Sequence, residues 1–277
     1  MSPDSLTASL IPRRRFLQSA ALLAGAGYSG TSLLAESRIE PLFKKVTCAG
    51  SYPAHLQGIC VDDRGHLFWP FTDQLVKTDA AGQIVKQIPV ASHHGDLCFA
   101  DGKIYVAVNL GKFNQPAGSA DSWVYIYDAE SLRELDRIAT PEVVHGAGGM
   151  SHRNGHFYVV GGLPPGIEEN YVYEYDADLN FVTRHVIDSK YSLLGIQTAN
   201  FHDEHWWFGC YGNPAELIKT DADFKMLGRW NYDCSLGVVG IAPGKFLIGR
   251  NTRNEAGHQG YVVPAVPDEK SGLRDIV

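Results

Sequence analysis

The strongest constraint on this chain is an internal repeat. Five short apolar segments, each opening on His or Gly, recur along the sequence: His55-Leu-Gln-Gly-Ile, His93-His-Gly-Asp-Leu, His145-Gly-Ala-Gly-Gly-Met, Gly195-Ile-Gln-Thr-Ala and Gly237-Val-Val-Gly-Ile. A turn and a second run of strand-forming residues follow each one, then a polar loop and a hairpin rich in Tyr and Asp. Repetition at a period of tens of residues means an array of like units, each burying its apolar face against its neighbours. It also brings residues far apart in the chain to equivalent places in space. No other feature of this sequence leads to a candidate site.

The copies align on the turn before each second run: Arg64-Gly65-His66, Asp101-Gly102-Lys103, Asn154-Gly155-His156, Asp203-Glu204-His205 and Pro243-Gly244-Lys245. Asp-Gly and Asn-Gly between β-rich runs are strong hairpin signals. The runs themselves, such as Lys103-Ile-Tyr-Val-Ala-Val, are β-branched and aromatic. A second hairpin completes each unit, as in Trp123-Val-Tyr-Ile-Tyr-Asp with Glu134-Leu-Asp-Arg-Ile. Four antiparallel strands per unit, repeated around an axis, make a β-propeller blade. The expected fold is therefore all-β, a propeller of five four-stranded blades, with six as the alternative count. Residues 42–49 read as a strand that completes the last blade and hides its open edge, and Leu273-Arg-Asp-Ile-Val competes for that place. The pattern resembles the broad propeller class with Tyr-x-Tyr-Asp hairpins. The resemblance implies a fold and leaves function open, because propellers host enzymes, lectins and scaffolds alike.

The N-terminus has a different character. Arg13-Arg-Arg-Phe-Leu-Gln stands just before Ala20-Ala-Leu-Leu-Ala-Gly-Ala-Gly. This resembles a twin-arginine export signal, with cleavage after Ala35 or Ser37. The resemblance implies export after folding, to the periplasm or outside the cell. The apolar run falls short of the ~20 residues a membrane span needs, so no stable span is expected after cleavage. The expected division is a signal segment at 1–37 and one propeller domain at 38–277. Net charge is −7 with no basic stripe, which argues against a nucleic-acid partner. Cysteines 48, 60, 98, 210 and 234 form an odd set without Cys-x-x-Cys spacing. They read as small buried hydrophobes.

In a propeller the starts of the innermost strands and the loops joining second to third strands share one face. Here that face is polar and its loops are long, at 109–121, 161–170, 210–214 and 250–258, while the opposite face has short Asp/Gly turns. Function concentrates on such loops. Three inner strands begin on histidine, and neutral imidazole is a common metal ligand. His55, His93, His145 and Gln197 are the candidate ligands of one divalent metal ion. His94, His145, Lys112 and Arg250 are the candidate catalytic groups. Gln57, Asp96, Asn109, Glu168, Tyr211, Asn213 and Arg253 are candidate substrate contacts, with Trp69, Phe71, Phe113 and Tyr211 as an aromatic platform. The recurring His66, His156 and His205 lie at the opposite face and read as structural.

The chain has no Gly-x-Ser-x-Gly elbow, Gly-rich phosphate loop or His-Glu-x-x-His. Among the inner-strand starts only Asp96 is a carboxylate, which disfavours a two-carboxylate glycosidase. The expected function is an exported lyase or hydrolase acting on a carbohydrate or related polyhydroxylated substrate at a His-lined axial pocket, with a small molecule or oligosaccharide as partner. The alternative is a non-catalytic ligand-binding or protein-interaction propeller of the cell envelope.

Overall fold

The computed structural model describes residues 42–276. The expected signal segment, 1–37, lies outside the described residues. All regular elements among the described residues are strands. The described residues begin with β1 (Val46–Thr47), then form a first group: β2 (Cys60–Val61), β3 (Leu67–Pro70), β4 (Thr72–Thr78) and the first half of β5 (Ile84–Ala100). β5 is long because it serves twice. Its first half pairs with β4, Leu75 opposite Ile88, and its second half pairs with β6 (Lys103–Asn109), Leu97 opposite Val106. The second group continues with β7 (Ser122–Asp128) and β8 (Glu134–Ala139). A third holds β9 (Ala147–Arg153), β10 (His156–Gly161), β11 (Asn170–Tyr175) and β12 (Phe181–Ile187). A fourth holds β13 (Leu193–His202), β14 (His205–Tyr211), β15 (Glu216–Thr220) and β16 (Met226–Trp230). The last has β17 (Val238–Ala242), β18 (Lys245–Asn254), β19 (Gly257–Asp268) and β20 (Gly272–Asp275).

Inner strands touch in the order β2, β5, β9, β13, β17, and β17 returns to β2. This closed ring of antiparallel sheets is a β-propeller. The core lies between neighbouring groups. Phe68 and Leu75 pack with Val106 and Tyr125, whereas Leu67, Trp69 and Val76 turn the other way, against Val239, Leu247 and Val262. Alternate residues of one strand thus feed alternate layers. This is why the middle strands read as unbroken apolar runs: β6 from Ile104 to Asn109 is buried on both faces. The outer strands β8 and β12 are mostly exposed. All five cysteines are buried and unpaired.

The ring is tight at its centre. A Cβ at Gly95 would stand 2.2 Å from the Gly148 carbonyl oxygen, and one at Gly149 would stand 2.3 Å from that of Gln197. Only glycine lets inner strands of neighbouring groups approach backbone to backbone.

The first and last described strands close the last sheet. β1 pairs with one end of β19 (Val46 opposite Val262), and β20 pairs with the other (Ala265 opposite Asp275). The sequence set these two segments in competition for one place, and each in fact takes half of the same edge. Arg250 and Tyr232 secure the C-terminal half. The Arg250 Nη2 lies 3.4 Å from each Asp275 carboxylate oxygen, its Nη1 donates to the Asp233 carbonyl, and the Tyr232 hydroxyl donates to Asp275. Arg250 therefore acts as a latch, away from the axis where a catalytic role was expected. Hydrogen bonds to charged groups contribute roughly 1.5–3 kcal/mol. Asp275→Ala is accordingly expected to lower the melting temperature by roughly 3–12 °C in calorimetry. An unchanged melting temperature would show that the latch carries no stability.

Candidate functional site

The inner-strand starts and upper loops enclose an axial cavity of about 570 Å³. His55 and Gln57, just before β2, face it together with His93 at the crossover within β5. Asn109 enters from the end of β6, Gln197 from β13 and Tyr211 from the end of β14. Phe113, Ala147, Leu193 and Leu194 supply apolar wall. The described residues lining the cavity include no Asp, Glu, Lys or Arg.

His55 is the best-connected group. Its Nε2 is 3.1 Å from the Gln57 amide nitrogen and 3.4 Å from the Tyr211 hydroxyl. The same amide nitrogen donates to Thr72 Oγ1 at 2.9 Å. An amide NH₂ can only donate, so His55 Nε2 accepts and its ring proton sits on Nδ1. Burial lowers the His55 pKa, and the charges of His93 and His258 add to the effect. Burial lowers that of His93 as well. Burial, followed by the charge of Asp233, pushes Tyr211 up to about 12. At neutral pH the cavity therefore presents neutral imidazoles, a protonated phenol and carboxamides.

Several expected site residues lie elsewhere. His94 follows His93, and strand alternation turns it away from the axis. It is fully buried, its Nδ1 donating to the Ala91 carbonyl at 2.6 Å and its Nε2 accepting from the Tyr127 hydroxyl at 2.8 Å. His145 donates from Nδ1 to the Gln115 carbonyl at 2.9 Å, anchoring the 109–121 loop without lining the cavity. The expected metal set thus separates: His55, His93 and Gln197 face the cavity, and Gln197 spends its amide on the Leu194 carbonyl at 2.7 Å. Among the described residues no three His, Cys, Asp or Glu side chains are grouped to hold a metal ion.

Asp96 is buried beneath the cavity. Its two carboxylate oxygens accept from the Ile59 and Ala199 amides, each at 3.2 Å, tying the first group to the fourth across the axis. Burial holds its pKa well above the usual carboxylate range. Lys112, Glu168, Asn213 and Arg253 are exposed and do not line the cavity. The polar loop expected at 250–258 is instead a continuation of β18 and β19, with Arg253 opposite His258. Trp69 and Phe71 are core residues, leaving Phe113 and Tyr211 as the aromatics at the cavity. On the opposite face His66 bonds Asp62 at 2.8 Å, while His156 and His185 share Glu174, each at 2.6 Å.

Sequence reasoning missed Leu193, Leu194 and His258. The two leucines had a signal: Leu193-Leu194-Gly195 falls where the second copy has His93-His94-Gly95. His258 had none, because its ring reaches within 6.0 Å of His55 only through the hairpin formed by β18 and β19.

No family model matches the chain, and no curated protein matches it. Solved structures do. The chain superposes on a Myxococcus xanthus glutaminyl cyclase with a TM-score of 0.54 at 12% identity, over 81% of this chain and 98% of that one. It superposes on the RRP9 WD40 repeats with a TM-score of 0.50 at 11% identity, over 84% and 83% of the two chains. Both are propellers, and at such identity they speak to the fold alone. The chain also spans 64% of a Kuenenia stuttgartiensis hydrazine synthase chain, at 14% identity over 76% of its own length, with a TM-score of 0.47 that is too low to carry an argument.

Proposed function

We propose that the axial cavity binds a compact uncharged molecule bearing hydroxyl or amide groups, such as a neutral carbohydrate. In this reading His55 acts on it as general base, with Tyr211 as proton donor, in a hydrolytic or lytic reaction. One observation carries the proposal: His55 Nε2 is held as an acceptor between Gln57 and Tyr211, in a cavity with no fixed charge on its described lining. A uronate or phosphate would meet no cation there, so the substrate class narrows to neutral molecules. The twin-arginine-type segment supports a periplasmic or secreted location. A binding-only protein would use the same cavity without turnover.

Titration against neutral oligosaccharides and amide-bearing peptides, a glutaminyl peptide among them, separates these readings when product is followed by mass spectrometry. Removing a general base typically costs about 10²–10⁴ in rate. His55→Ala is therefore expected to lose at least about 100-fold in kcat while melting like the parent. Because burial lowers the His55 pKa below that of an ordinary imidazole, the acid limb of the activity profile is expected below the ordinary imidazole range. Turnover that survives His55→Ala would refute the general-base role. Binding without turnover for every probe would favour the non-catalytic alternative.

A further inference from the structure

The axial cavity has two chemical sides. Its hydrogen-bonding groups come mainly from the first and second strand groups, with His55, Gln57 and His93 foremost. Ala147, Leu193 and Leu194 line it from the third and fourth, and Phe113 reaches over from the 109–121 loop. Tyr211, with an apolar ring and a polar tip, also lines it.

The leucines are held there against their local preference. Leu193 is 46% exposed although it belongs to a strand whose following residues are buried. Leu194 adopts a φ of +61°, a left-handed conformation that disfavours any branched side chain. The backbone is pinned in that shape. Gln197 donates to the Leu194 carbonyl, and the Gly195 amide donates to the Ser192 carbonyl at 3.2 Å. Gly or Asn would fit such a position with less strain, and an exposed Leu193 contributes little to folding. Two adjacent leucines facing an open cavity gain their burial only when something occupies it. At about 570 Å³ the space lies in the usual ~300–1,000 Å³ range of small-molecule sites.

We infer that the ligand is amphipathic: an uncharged hydroxyl- or amide-bearing head against His55, Gln57 and His93, and an alkyl or aryl arm against Phe113, Leu193 and Leu194. This rests on the neutral-ligand reading above and adds the arm. A buried CH₂ strengthens binding roughly fourfold.

Calorimetric titration of the full chain with methyl, butyl and hexyl β-D-glucopyranoside tests it, each used as monomer in solution. Hexyl glucoside is expected to bind at least tenfold more tightly than methyl glucoside. In Leu193→Ser, and in Leu193→Ser with Leu194→Asn, that ratio should fall below threefold, with the melting temperature checked for each variant. His55→Ala should weaken both glycosides alike and leave the ratio intact. A ratio near one in the parent chain, or a ratio unchanged by the leucine variants, overturns the proposal. If no glucoside binds, N-phenyl-1-naphthylamine probes the arm alone. Fluorescence enhancement that the leucine variants abolish supports the arm while the carbohydrate head fails, and absence of enhancement overturns the arm as well.

Discussion

Gly149→Ala is expected to destabilise the protein by roughly 3 kcal/mol or more and to lower its melting temperature by about 6–12 °C. The added methyl would stand 2.3 Å from the Gln197 carbonyl oxygen and 3.0 Å from its carbon. Both are backbone atoms of β13, so no rotamer change relieves the clash, and the inner ring itself would have to widen. Gly148→Ala is the matched control. Its methyl would meet the Phe113 ring at 3.3 Å and two backbone atoms at 3.4 Å, with nothing nearer. That protein should fold with a near-parental melting temperature and show its defect as a smaller cavity and weaker ligand binding. Circular dichroism melts of the two variants decide the matter. A Gly149→Ala melt that overlays the parent would mean that the ring is looser than its geometry indicates.

Acidification is expected to remove on the order of 3 kcal/mol of stability through His94 alone. Burial lowers its pKa from 6.5 to about 4, helped by His93 and opposed by the hydrogen bond to Ala91. Below pH 6.5 the unfolded chain takes up a proton that the folded His94 refuses. Stability is thus complete above pH 6.5, declines as the pH falls toward 4, and stops declining once the folded imidazole also protonates. Asp96 works in the opposite direction. Its raised pKa favours the folded state at low pH, and that contribution is lost progressively as the pH rises from the ordinary carboxylate range up through the raised pKa of the folded state. His94→Gln isolates the histidine, since it keeps a donor near the Ala91 carbonyl and does not titrate. Urea midpoints measured at pH 7.5, 5.5 and 4.5 should drop steeply in the parent and much less in His94→Gln. Parallel pH profiles would rule out His94 as the source.

The blade pattern was legible because it depends on local chemistry. Asn154-Gly155 and Asp101-Gly102 turns and apolar runs such as Ile104–Val108 specify hairpins wherever they occur. The cavity-bearing face was legible too, since repeat alignment sets His55 level with His93 and Gln57 level with Gln197, and all four line the cavity. The individual roles were not. His93 and His94 are chain neighbours, but one faces the axis and the other the layer between blades. His145, one residue out of register, spends its proton on a loop carbonyl. Arg250 looked catalytic in a polar loop, yet that loop is a strand pair and its guanidinium holds Asp275.

The sequence by itself determined the all-β class, the order of the strands and the end of the molecule where polar groups collect. These follow from turn residues, β-branched runs and repeat spacing, which act over a few residues each. Only the tertiary structure decided that β1 and β20 share the edge of β19, that the cavity carries no charged group on its described lining, and that two leucines face three hydrogen-bonding side chains across it. Those features depend on which way a side chain points and on what stands opposite from another blade. Direction alternates with every residue of a strand, so a shift of one position exchanges core for cavity.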